Sequence, residues 1–213
     1  EYGGTPADYF FRLASAEEFA RAGTGGLSAS LFSHTIGAPP IAAVGSEELK
    51  RRVLPSILSG EKISALAITE PSGGSDVASL RTQAVKDGND YVVSGEKTFI
   101  TSGMRADFYT VAVRTGGPGA AGVSLLLIER DRPGFTRAEL KKMGWWCSDT
   151  ASLHFDQVRV PAANLISEEN AGFRAIMRNF NSERLSMAAG AVGFAQACLE
   201  DALAWARERK TFG

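Results

Sequence analysis

Apolar residues recur at helical spacing in the first part of the chain, run continuously or alternate in the middle, and return to helical spacing from residue 169. Thr5 reads as an N-cap, with Pro6 at the first helical position and Asp8 at the third; Tyr9, Phe10, Leu13, Ala16, Phe19 and Ala20 then share one face until Gly23. A packed helix is predicted there. The joint Gly23-Thr24-Gly25-Gly26 reads as helix punctuation, because it lacks both a preceding strand and the GxGxxG spacing of a dinucleotide site. A second apolar segment around Leu27, Leu31 and Ile36 is expected to end at Pro39-Pro40. SEELKRRVLPSIL, from Ser46, has acids in its first turn and bases after them, as the helix dipole favours, before Pro55 kinks or restarts it.

From Ile63 the period changes. The runs 91–95, 108–113, 123–128 and 153–158 are rich in β-branched and aromatic residues and are separated by glycine or charged turns. They predict a mainly antiparallel β domain, with GGPGAAG at 116–122 as a hairpin loop. Leu185, Ala188, Val192, Ala195, Leu199, Ala202 and Ala206 form a stripe at three-and-four spacing that suits a helical bundle. The expected class is α+β: a helical domain at 1–62, a central antiparallel β-barrel or sandwich at 63–168, and the start of a helical bundle at 169–213.

A chain of 213 residues, 44% hydrophobic and 22% charged, can bury a substantial core. Its 23 basic and 24 acidic side chains nearly cancel and form no block, so neither a nucleic-acid nor an anionic-membrane surface is announced. Cys147 and Cys198 are far apart and lack metal-type spacing, which points away from a disulfide framework or zinc site and towards a reducing compartment. No apolar run approaches membrane-spanning length, and the opening Glu1-Tyr2-Gly3-Gly4 reads as internal rather than as a leader.

The nonapeptide TEPSGGSDV, residues 69–77, has two readings from its residues alone. Gly73 and Gly74 let backbone approach a ligand, with hydroxyls from Thr69 and Ser75; equally, Ser75 or Asp76 caps a helical turn. The order of TEPSGGSDVASLRT, GEKTFITSG, KKMGWWCSDTASLHFDQVRVP, NFNSERLSMAAGAVG and ARERKTFG resembles the acyl-CoA dehydrogenase family over essentially the whole chain. The resemblance is to the middle of such an enzyme; the family's further N-terminal helical segment and its C-terminal FGG and YEGT-like elements have no counterpart in these residues.

The resemblance implies a flavoenzyme that binds FAD without a Rossmann fold and carries out α,β-dehydrogenation of an acyl-CoA thioester to the trans-2-enoyl-CoA, as in fatty-acid β-oxidation. Electrons then pass to electron-transferring flavoprotein. Carried over by motif, Leu66, Ile68, Thr69, Gly74 and Ser75, with Phe99, Ile100 and Thr101, surround the isoalloxazine and nearby phosphates, and Ser75 also lies beside the acyl-CoA. Relatives often have Gly at the place of Ser72 and Trp at that of Phe99, and Phe99 cannot donate an indole hydrogen bond. NSERL places Glu183 where a subset resembling isovaleryl-CoA and long-chain acyl-CoA dehydrogenases has the base that removes the α-proton. Most other relatives have that base in the YEGT-like segment. Asn181 and Arg184 fall where relatives contact CoA. Arg209, Thr211 and Phe212 fall where relatives reach the FAD of a neighbouring subunit, which implies an oligomer, usually a homotetramer.

Burial against substrate and flavin is expected to raise the Glu183 pKa, with a nearby helix N-terminus opposing. From the residues alone, Glu183 could instead pair with Arg184 or Arg178 on a solvated helix face. His34 and His154 read as structural, and Trp145 and Trp146 as packing aromatics in a loop that an electron-transfer partner could use. A flavin-dependent monooxygenase of the same fold and a non-catalytic scaffold are the alternative functions. The expected compartment is the bacterial cytoplasm, or the mitochondrial matrix in a eukaryote.

Overall fold

The computed structural model describes residues 2–23 and 26–212. Thr24 and Gly25 of the glycine-rich joint lie outside the described residues. The first helix, α1 (Tyr9–Arg21), is capped by Asp8, whose carboxylate accepts the Phe10 N–H at 2.9 Å. Thr5 is therefore not the cap: Asp8 offers both an acceptor and a negative charge at the positive helix end. Of the expected apolar face only Ala20 is buried.

Pro39 and Pro40 do not end a helix. After α2 (Leu27–Phe32) and a 3-10 turn, they stand in the first turn of α3 (Ala38–Val44), where a missing N–H costs nothing and a fixed φ is already helical. Ser46 caps α4 (Glu47–Leu58) through the Leu49 N–H at 3.1 Å, and the helix continues past Pro55.

Among the described residues eight strands form one mixed sheet: β1 (Ser64–Ala67), β2 (Gln83–Asp87), β3 (Asp90–Thr101), β4 (Phe108–Arg114), β5 (Val123–Glu129), β6 (Phe135–Glu139), β7 (Thr150–Pro161) and β8 (Leu165–Ile166). The pairing order is β6-β7-β3-β2-β4-β5-β8, with β1 parallel to β4 and every other extended ladder antiparallel. The 116–122 segment does join an antiparallel pair, β4 and β5, and Arg114 Nη1 donates to the Gly117 carbonyl at 2.6 Å across it.

The expected barrel is not closed by hydrogen bonds. β6 and β8 are the two ends of the order, and β8 has only two residues to offer. Side chains close the curl instead. Tyr109 of β4 meets Phe135 of β6 edge-on at 4.8 Å, and Phe135 stacks on Phe155 of β7 at 4.8 Å, inside a core that includes Tyr91, Val93 and Val111.

The other face carries a second core, where Val123, Leu125 and Leu127 pack with Ile41 of α3, Leu49, Val53, Leu54 and Ile57 of α4, and Ala175 and Ile176 of α5 (Gly172–Glu208). β1 is held tightly against the start of α3. Gly37 accepts from Thr110 Oγ1 at 2.7 Å, and an added Cβ there would overlap the Ala65 carbonyl oxygen and the Ser64 hydroxyl. Gly37→Ala is expected to destabilise the protein by about 1–3 kcal/mol, measured as a lower denaturation midpoint, because backbone rather than a mobile side chain must give way.

The long helix α5 runs parallel to α1. Tyr9 reaches the Ser182 carbonyl and Ser186 Oγ, Gly193 lies against Glu17 and Ala20, and Arg21 pairs with Glu200 at 3.2 Å. The predicted stripe is helical, but it faces away from α1: Leu185, Val192 and Leu199 are each more than half exposed.

Candidate active site

The loop after β1 is a closed turn. Glu70 N–H donates to the Gly73 carbonyl and Gly73 N–H to the Glu70 carbonyl, each at 3.0 Å. Gly74 folds back so closely that a Cβ would lie 3.1 Å from Thr69 Cγ2. Ser75 is exposed, and Asp76 Oδ2 accepts from Ser79 Oγ at 2.6 Å, bracing the short 3-10 turn Val77–Ser79. Asp76 stands at the N-cap of that turn but makes no side-chain bond to a backbone N–H, so the turn is braced side chain to side chain, beneath a small-residue surface that carries hydroxyls.

β3 brings the second segment alongside. Thr98 N–H donates to the Thr69 carbonyl at 2.9 Å, so the two loops are tied main chain to main chain. Lys97 pairs with Leu153 and Ile100 with Ala151, which leaves Thr98 and Phe99 opposite Ser152 alone. This is a β-bulge, and it turns Phe99 outward with φ +59° and 70% of its surface exposed. An exposed aromatic in a left-handed conformation is costly in two ways, which points to a ligand rather than to packing. Thr101 is half-buried beside it. Ile68 and Ile100 are buried in the two cores, one on each face of the sheet, so each can offer a ligand only its peptide groups; Leu66 packs partly against the helix-side core. A flat ring with polar edges fits this arrangement, with Phe99 over a face and the Thr69 and Ser75 hydroxyls at the rim.

Glu183 stands on α5. Gly172, Ala175, Ile176 and Asn179 form the helix's buried row, and Glu183 continues it where the helix leaves the sheet. Phe173, Met177 and Phe180 of the same helix pack into the core that contains Leu66 and Ile68. The helix that carries Glu183 and the residues that flank the TEPSGG loop therefore share one packed layer. Burial pushes the Glu183 pKa up, against a hydrogen bond from Asn179 Nδ2 at 2.9 Å and the Arg12 charge. The helix N-terminus expected to oppose that shift does not reach it, since α5 starts about 16 Å before Glu183 and the dipole acts only over the first turn. Glu183 bonds to Asn179; Arg184 instead lies over the Phe180 ring at 5.8 Å and reaches Asn181 Oδ1 at 3.5 Å, both on the exposed side.

Arg209, Thr211 and Phe212 follow the end of α5, exposed, about 38 Å of helix beyond Glu183. They are not brought to the same place as the other candidates. Trp146 is 81% exposed, so it is not the packing aromatic expected; the loop is held by Lys142, which donates to the carbonyls of Trp145 and Ser148. His34 Nδ1 lies 3.1 Å from the Leu31 carbonyl, and His154 lies 3.4 Å from Glu96 at the surface. Sequence reasoning missed Asn179, Arg12 and the buried pair Lys97 and Glu70. Nothing local marks them, because each acts through a partner on another turn or another element. Among the described residues no helix is long and apolar enough to cross a membrane, and no cluster of His, Cys, Asp or Glu is arranged to hold a metal ion.

Residues 1–61, 65–158 and 170–213 match the family profiles described as acyl-CoA dehydrogenase N-terminal, middle and C-terminal domains. The chain is 44% identical to acyl-CoA dehydrogenase apdG of Emericella nidulans over 97% of its own length and 48% of that protein. It is 41% identical to cyclohexane-1-carbonyl-CoA dehydrogenase of Geobacter metallireducens over 100% of its length and 56% of that protein. A crystal structure of a probable acyl-CoA dehydrogenase from Mycobacterium abscessus superposes with a TM-score of 0.95 at 52% identity, covering 100% of this chain and 57% of the other. The chain thus spans about half the length of the curated relatives it matches.

Proposed function

Since the chain belongs to the acyl-CoA dehydrogenase family, we propose that the whole protein is an FAD-dependent oxidoreductase that converts an acyl-CoA thioester to the trans-2-enoyl-CoA. The carrying observation is the position of Glu183: a desolvated carboxylate on the helix that packs against the Leu66 and Ile68 layer. In this reading Glu183 takes the α-proton, and its neighbour Asn179 holds the carboxylate in one orientation. FAD, when bound, supplies the acceptor for the hydride that leaves the substrate β-carbon. Thr69, Gly74, Ser75 and the peptide groups of Leu66, Ile68, Ile100 and Thr101 line its ring and phosphates, and Phe99 excludes water from one face. Ser75, Asn181 and Arg184 hold the acyl-CoA, Arg184 through an anionic group. Arg209, Thr211 and Phe212 serve the FAD of a neighbouring copy in a homotetramer, which accounts for their distance from Glu183. Electron-transferring flavoprotein is the proposed acceptor. A carboxylate base has no task in flavin oxygenation, so dehydrogenation is favoured over the monooxygenase alternative.

The test is anaerobic. Full-length protein loaded with FAD is mixed with acyl-CoAs of differing length and branching, and loss of the oxidised-flavin absorbance is followed across pH. Bleaching by a saturated acyl-CoA is expected. Its rate should rise with pH through a value above the ordinary carboxylate range, because abstraction needs charged Glu183 and burial favours the neutral form. Bound FAD that no acyl-CoA bleaches would sink the dehydrogenase reading, and a rate already at its plateau at the ordinary carboxylate pKa would remove Glu183 from the role of base.

A further inference from the structure

Lys97 and Glu70 form an ion pair at 2.8 Å with side chains 0% and 4% exposed. Lys97 Nζ also donates to the Ile68 carbonyl at 3.0 Å. Glu70 accepts the Arg81 N–H at 2.6 Å on one oxygen and the Thr82 N–H at 2.8 Å on the other, the oxygen that Lys97 also meets. Four stretches of chain meet here: the end of β1, the Glu70–Gly73 turn, the lead-in to β2, and β3 just before its bulge.

Such a pair is a poor way to gain stability. Desolvating two charges offsets most of their attraction, and an apolar pair of similar volume commonly serves a fold as well or better. Burial pulls the Lys97 pKa down to about 8 against the influence of Glu70, so the cation is held at a cost. Burial alone would push Glu70 up, but Lys97 and the Thr82 bonds together keep it below the ordinary carboxylate value. What the pair has that leucines lack is direction: each bond fixes an angle as well as a distance. Its location gives that direction a use. Glu70 is the residue after Thr69, and Lys97 stands two residues before Phe99, so the pair lies at the root of both flavin-facing segments.

We propose that Lys97 and Glu70 are positioning residues for the cofactor, a buried clamp that sets the spacing between the Thr69–Ser75 loop and the Phe99–Thr101 bulge. The assignment rests on the flavin reading above. Neither side chain touches the cofactor; they act through the Ile68 carbonyl, the Glu70–Gly73 turn and the strand that carries Phe99.

The deciding variant is the charge-neutral double replacement Lys97→Met with Glu70→Gln in the full-length protein. The Gln carbonyl still accepts a backbone N–H of Arg81 or Thr82, and Met fills the space of the lysine stem, so both buried charges are removed together and the ionic geometry is lost. Lys97→Met alone strands a buried carboxylate, and a failure of that single variant to fold would not touch the double. The readouts are the FAD dissociation constant, the visible spectrum and fluorescence of bound FAD, and the melting temperature of the FAD-free protein. The expected result is a melting temperature close to that of the parent, FAD bound at least ten-fold more weakly, and a shifted flavin spectrum. Parent-like affinity and spectrum in the double variant would overturn the clamp and leave the pair as scaffolding. Failure of the parent protein itself to bind FAD would overturn the flavin reading, and the clamp with it.

Discussion

Glu183→Gln is expected to leave the full-length protein folded and able to bind FAD, while acyl-CoA-dependent flavin reduction slows by about a thousand-fold, within the range lost with a general base. Gln keeps the shape and can still accept from Asn179 Nδ2, which donates to Glu183 Oε1 at 2.9 Å, so the geometry of α5 is preserved and only the proton acceptor is removed. Stability should not fall. The Glu183 pKa is raised in the folded protein, so between the ordinary and the raised value the native state binds the proton more tightly than the unfolded chain does. Stability linked to this group is present at low pH and is lost as pH rises through that window, because the buried carboxylate must then be charged. A neutral amide escapes that cost, so the variant should melt at or slightly above the parent temperature near neutral pH. Stopped-flow absorbance and a thermal scan check the two halves. Unchanged flavin reduction would place the base elsewhere in the protein, and loss of FAD binding would make Glu183 a structural residue of the pocket.

The sequence carried the parts of the fold whose burial is local. Ser46 with Glu47 and Glu48 marks the start of α4 because cap and dipole act within one turn. β4 and β5 show as continuous apolar runs because they are buried on both faces. β2 and β6 left little trace, since each buries a single residue, Ala84 and Phe135, and most of the rest face solvent. The curl of the sheet was not legible, because Tyr109, Phe135 and Phe155 meet across strands far apart in the chain. The same holds at the site. Glu183, the upward direction of its pKa and the two loops came from motif resemblance, whereas the hydrogen bond from Asn179 to Glu183, the outward turn of Phe99 at a bulge and the union of Lys97 with Glu70 belong to tertiary structure alone. A lysine in a strand ordinarily reads as a solvent-facing residue, and its partner here lies 27 residues away.

Phe155→Ala should give the largest loss of stability among the core positions that hold the curl. Phe155 is 1% exposed, lies parallel to Phe135 with a 2° angle between the rings, and through Phe135 braces the edge contact to Tyr109. Truncation removes the ring's transfer energy and leaves a cavity that three strands cannot all close, an expected loss of about 3–5 kcal/mol. Phe155→Leu keeps most of the volume and should cost less than about 1.5 kcal/mol if neighbouring side chains repack. Val85→Ala, at a strand position 61% exposed, serves as the control and should stay within about 0.5 kcal/mol. Urea denaturation of the full-length variants measures all three. Equal midpoints for Phe155→Ala and Phe155→Leu would mean that volume at this position does not hold the sheet, and that its curl depends on hydrogen bonding alone. The ordering matters for the site, because β7 pairs Phe155 with Gly95 and Leu153 with Lys97 just before the bulge that presents Phe99. Loss of the aromatic stack should therefore weaken FAD binding in Phe155→Ala more than in Phe155→Leu, even at denaturant concentrations where both remain folded.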